Sequence, residues 1–90
     1  MQGTRTDITA SIREIIALYA QLAVDVETLT DTSDLFHAGM TSLANVTVML
    51  GLESAFGVEL PEEMLHRSTF ESISAIRSAL TQLLGQEGAA

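Results

Sequence analysis

The sequence predicts an all-α fold, a bundle of three main helices plus one short helix, with a long loop between the first two. Three observations predict it. The hydrophobic fraction is 47% but the aromatic fraction only 4%, so the core must be mostly Leu, Ile, Val, Ala and Met, a palette suited to packed helices rather than a sheet sandwich. Apolar residues recur at helical spacing, and Ser, Thr, Gly and Pro fall where those runs begin and end. Ninety residues make one domain, 1–90, since single domains commonly run to ~100–150 residues.

The first helix is expected from about Asp7 to Leu22. Ile8, Ile12, Ile15, Tyr19 and Leu22 step along one helical face. A long connection follows, Ala23 to Thr41, rich in Asp and Thr. A loop of that length in so small a domain is often functional, and Leu29, Leu35 and Phe36 are expected to pin it to the core. The second helix is expected over Ser42–Phe56, with Thr41 or Ser42 as its cap and Gly57 closing it in the left-handed conformation. Pro61 suits the first position of the short third helix, with Glu62 and Glu63 at its positive end. The fourth helix is expected to open on the capping box Ser68-Thr69-Phe70-Glu71. Its apolar face is Ile73, Ile76, Leu80 and Leu83, Gly85 stops it, and the tail 86–90 is expected to be loose.

Charge narrows the function. Four arginines and no lysine against twelve acids leave a net charge of −8, which repels phosphate backbones and anionic lipid, so neither nucleic acid nor a membrane is an expected partner. The N-terminus lacks the apolar run of a signal peptide, and the uncharged stretch Leu35–Leu52 is too rich in His, Gly, Ser, Thr and Asn for a membrane span. A cytoplasmic protein is the expectation. With no cysteine, neither a disulfide nor a thiolate metal site is possible, and the two histidines have no metal-ligand spacing.

The catalytic inventory is thin. Asp34, His37 and Ser42 supply the residue types of a hydrolytic triad, but a triad is gathered around a cleft that one loop and a helix start do not build. Gly39-Met40-Thr41-Ser42-Leu43 is not a Gly-x-Ser-x-Gly elbow, and no glycine-rich phosphate loop is present. The chain is not expected to be an enzyme. The second helix is apolar over more of its circumference than one core contact requires. Val48, Leu52 and Phe56 make one stripe; Leu43, Val46 and Leu50 make another, displaced around the cylinder. Either the helix is buried on most sides, or the second stripe is a partner-binding face. Gly51 costs ~1 kcal/mol relative to Ala in a helix interior; a close approach of another element there, or simple drift, are both open readings.

Asp34-Leu35-Phe36-His37-Ala38-Gly39-Met40-Thr41-Ser42-Leu43 resembles the signature of the acyl carrier protein family, Asp-Leu-Phe followed by Gly-x-Asp-Ser-Leu. Phe56-Gly57-Val58-Glu59-Leu60-Pro61 is similar to that family's exit from its second helix, and Thr69-Phe70-Glu71-Ser72-Ile73 to its entry into the last. The resemblance spans about Ile8 to Leu84. It implies that Ser42 carries a 4'-phosphopantetheine arm taken from coenzyme A, on which acyl or aminoacyl groups ride as thioesters. A chain with no thiol of its own has to borrow one. The implied partners are a phosphopantetheinyl transferase, a loading acyl or aminoacyl ligase and downstream transferases, meeting a face formed by Leu43, Val46 and Leu50 with Met40 and Thr41. A monomer is expected.

Two departures refine the reading. Thr41 stands where the family usually has Asp, which bears on the transferase that reads the site. The second helix, with Glu53 as its only acid, lacks the acids that dock fatty-acid carriers on basic patches. Recognition is therefore expected to be largely apolar, pointing to a specialised pathway rather than general fatty acid synthesis. The alternative is a helical interaction or adaptor module that is never modified; it accounts for the acidity and the apolar stripe but leaves the placement of Ser42 and the missing thiol as coincidences.

Overall fold

The computed structural model describes the backbone of residues 4–89 and the side chains of residues 8–85. Three helices form the body: α1 (Thr4–Tyr19), α2 (Ser42–Phe56) and α3 (Ile73–Ala89). The fold is all-α, and α1 packs against both α2 and α3.

α1 starts earlier than its apolar spacing suggests and ends earlier too. Ala20 donates the last helical bond to Ile16 O at 3.0 Å, and Gln21 then turns left-handed at φ 54, so Leu22 lies beyond the helix. The buried face is also rotated from the expected one. Ile12, Ile15, Ile16 and Ala20 are buried while Tyr19 is 39% exposed, because a strict four–three spacing drifts around a 3.6-residue helix and brings Ile16 and Ala20 inward. The displaced Tyr19 ring lies over Gly51 of α2. A Cβ there would come within 3.0 Å of Tyr19 Cδ2 and 3.2 Å of Ile15 Cγ2, so the mid-helix glycine marks a close approach of α1.

The loop from residue 20 to residue 41 is tied down at many points rather than free. Arg13 of α1 donates to Val26 O (3.1 Å), Leu29 O (3.0 Å) and Asp31 Oδ1 (2.8 Å), and Arg77 of α3 reaches Asp31 Oδ2 at 3.5 Å and Thr9 at 3.2 Å. The loop returns the favour to α3: Asp31 O accepts from Ser74 N and Glu71 O from Leu35 N, both at 2.8 Å. Leu35 is fully buried, with Leu29 and Phe36 packed on the core, as expected.

α2 has the expected bounds. Thr41 is its cap, Oγ1 accepting from Ala44 N at 3.0 Å, and Gly57 closes it at φ 64, ψ 37. Glu53 Oε2 then accepts from Leu60 N at 2.8 Å, fixing the exit. In place of one short third helix there are two 3-10 turns, Glu62–Met64 after Pro61 and Arg67–Phe70. The second absorbs the expected capping box. Ser68 Oγ bonds His66 Nδ1 at 2.9 Å, and α3 is capped four residues later by Ser72, whose Oγ accepts from Ala75 N at 3.0 Å. Ile73, Ile76, Leu80 and Leu83 are its buried face. Gly85 does not stop α3, which runs on to Ala89; Ala90 lies outside the described residues. Glycine lacks a clash in a helix and only costs propensity, so it ends one only where the chain turns left-handed.

Candidate functional site

The site is built where the long loop delivers the chain to α2. Gly39 makes the approach possible. Its φ is 120, and a Cβ on it would stand 2.8 Å from Ala23 N, which itself donates to Ala38 O at 3.0 Å. Met40 is then drawn inward, 3% exposed, with its N–H on Leu35 O at 3.1 Å. Expected on the partner-binding face, Met40 instead sits in the core, because an apolar side chain beside Leu35 gains more from burial than from solvent. Its burial holds the strand of chain that presents the next two residues. Thr41 and Ser42 both face solvent, and since Thr41 takes the capping role, the Ser42 hydroxyl has no cap bond to make.

Asp34, His37 and Ser42 are not assembled as a triad. Asp34 Oδ1 accepts from the N–H groups of Phe36 (3.0 Å) and His37 (3.2 Å), so this carboxylate shapes the turn, and the His37 side chain is exposed.

Beside Ser42 lies a groove of about 320 Å³. Ser42, Asn45 and Val46 of α2, Phe36 of the loop, and His66, Arg67 and Phe70 line it. The guanidinium of Arg67 stacks on the Phe36 ring, its Cζ 4.0 Å from the centroid. Asn45 Oδ1 is buried with no hydrogen-bond partner among the described residues. Sequence reading missed His66, Arg67 and Phe70 here, having assigned Ser68–Glu71 to a helix start. Their signal was the His66-Arg67 pair, two adjacent basic types in a chain of net charge −8.

The two stripes of α2 separate as one core face and one solvent face. Val48 and Leu52 are buried and Phe56 packs on the core, while Leu43, Val46 and Leu50 are 79%, 47% and 55% exposed. The three form an unpartnered apolar ridge that starts next to Ser42. Such a ridge is uncommon on a protein that meets nothing.

A phosphate-linked arm fits these residues. An exposed hydroxyl heads a helix whose dipole favours negative charge, and the groove beside it offers an apolar bed with one guanidinium.

Known proteins are similar to this chain. The family model described as the phosphopantetheine attachment site matches residues 10–80. An aminoacyl carrier protein of Agrobacterium fabrum is 45% identical over 83 residues, covering 91% of this chain and all of that protein. Aminoacyl carrier protein 1 of Bradyrhizobium diazoefficiens is 31% identical over 87 residues, covering 92% and 93%. Among solved structures, one is a complex of an engineered Bradyrhizobium japonicum glycine:carrier-protein ligase with a carrier protein from Agrobacterium tumefaciens and AMP. It matches with a TM-score of 0.79 at 45% identity, over 81% of this chain and 97% of the matched one.

Proposed function

The chain belongs to the phosphopantetheine attachment site family, and from that premise we propose that Ser42 is the residue esterified by 4'-phosphopantetheine from coenzyme A. The protein is a carrier that holds its cargo on this group and presents it to partner enzymes. The observation that carries the assignment is the exposed Ser42 hydroxyl, freed from capping by Thr41 at the start of α2, in a chain that has no cysteine. The group supplies the thiol for a thioester. The residues of this chain do the rest: Thr41 caps the helix, Gly39 and Met40 fix the approach of the loop, and the hydroxyl is left open to a phosphopantetheinyl transferase.

The cargo we propose is an amino acid, loaded by a ligase that activates it as an adenylate, in a specialised pathway. Support comes from the two relatives named for aminoacyl groups and from the similar carrier protein found with a glycine ligase. The docking face is the ridge of Leu43, Val46 and Leu50 with Thr41 at its head, over buried Met40. Bond making belongs to the partner enzymes, and the setting that fits is the cytoplasm, where coenzyme A is at hand; among the described residues no helix is long and apolar enough to cross a membrane.

The test is an intact-mass spectrum before and after incubation with coenzyme A and a broad-specificity phosphopantetheinyl transferase, with Ser42→Ala alongside. The wild type gains one phosphopantetheine mass and Ser42→Ala gains none while keeping its far-ultraviolet helical signal. A gain on the variant would move the attachment to another residue.

A further inference from the structure

The four arginines of this chain are not equivalent. Arg13 and Arg77 both spend their charge on Asp31, at 2.8 Å and 3.5 Å, and the side chain of Arg5 is outside the described residues. Arg67 forms no ion pair among the described residues. It is exposed, yet it is not loose: the ring of Phe36 holds its guanidinium at 4.0 Å. That ring belongs to the loop leading to Ser42, whose backbone is pinned there by the bond from Phe36 N to Asp34 Oδ1. Stacking leaves the edge donors of the guanidinium free, and they are the ones that bind phosphate oxygens in a fork.

Arg67 and Ser42 both line one groove. A phosphodiester on Ser42 would add one more negative charge to a chain already at −8. The start of α2 is only partly able to offset it, since the Ala44 N–H is already given to Thr41 Oγ1. A cation held in the groove without an acidic partner is what that position lacks.

We propose that Arg67 is the counter-ion of the phosphodiester on Ser42, a positioning residue whose stacked guanidinium binds the phosphate oxygens and draws the arm over the groove. This rests on the attachment at Ser42 argued above. The arm is thereby held by its charged root, leaving its thiol end free to travel. Arg67 would not touch the cargo.

The experiment loads wild type, Arg67→Gln and Arg67→Lys with phosphopantetheine, confirms each by intact mass, and records phosphorus-31 spectra of the loaded proteins. At low salt the wild-type line is displaced from that of Arg67→Gln. The two converge at about 1 M salt, where the screening length falls to about 3 Å. Arg67→Lys, with the charge but without the planar fork, falls between them. In the unsubstituted protein the Arg67 Nε–Hε signal moves on loading. Coincident phosphorus lines for wild type and Arg67→Gln at low salt, or an Arg67 Nε–Hε signal that loading leaves in place, overturn the inference while Ser42 stands. A wild type that gains no mass removes both.

Discussion

At the scale of single residues, the site depends on positions that never meet the cargo. Thr41→Ala removes the cap of α2, a loss of about 1 kcal/mol, and the melting temperature is expected to fall by about 4–8 °C, with phosphopantetheine loading retained. Gly39→Ala is a harsher change. It forces a side chain into φ 120 and toward Ala23 N at 2.8 Å, a strain of about 1–3 kcal/mol, and it moves the segment that delivers Ser42. Both the melting temperature and the initial rate of loading should drop, whereas Thr41→Ala lowers mainly the first. Equal loading rates for Gly39→Ala and wild type would show that the loop does not position the serine. Sequence alone made Gly39 part of a motif; its steric reason lies in Ala23, sixteen positions away, and long-range contact of that kind leaves no local pattern. Met40 failed as a predicted surface residue because its side chain joins the common core, while its N–H turns back to Leu35 O.

At the scale of elements, α2 was the most legible part of the chain. Thr41 and Gly57 bracket it in sequence as they do in space, and two apolar stripes at helical spacing became one buried and one exposed face. α1 and α3 were legible as helices but not in their ends. Gln21 is left-handed without being a glycine, Gly85 is a glycine that stays helical, and the Ser-x-x-Glu pattern at Ser68 was taken by a 3-10 turn because Ser72 and the Asp31 carbonyl cap α3 instead. The long loop is the element whose order was least readable. Arg13 and Arg77 converge on Asp31 from two helices, and replacing Asp31 with Ala leaves both guanidinium groups without their carboxylate. Because that carboxylate is 39% exposed, screening limits the ionic part, and about 1–3 kcal/mol is expected from the lost charge-assisted bonds. Thermal unfolding of Asp31→Ala checks it; an unchanged midpoint would mean that the other ties, Arg13 on the Val26 and Leu29 carbonyls and buried Leu35, hold the loop without the carboxylate. For the ridge of α2, changing Leu43, Val46 and Leu50 together to Gln is expected to weaken ligase binding at least tenfold, which is about 1.4 kcal/mol, without lowering the melting temperature. Wild-type binding should respond only weakly to added salt, since Glu53 is the sole acid on the helix; a steep salt dependence would point to ion pairing instead.

At the scale of the whole molecule, the three helices close over one core in which Ile12, Ile16, Leu35, Val48, Leu52, Ile73, Ile76 and Leu80 are almost wholly buried. Leu52→Ala empties space at its centre and should cost about 2–5 kcal/mol, a large share of the roughly 5–15 kcal/mol that holds a domain folded; urea unfolding measures it directly. The exposed ridge has a consequence for the protein in bulk. An apolar face left open to solvent is equally open to other copies of the same chain, and the net charge of −8 keeps those copies apart. Near pH 4.3, where the net charge vanishes, that repulsion is gone while Leu43 and Leu50 are as greasy as before. Concentrated wild type is expected to turn cloudy there, and the triple glutamine variant to remain clear, so the charge on the rest of the surface acts as the colloidal partner of an adhesive helix.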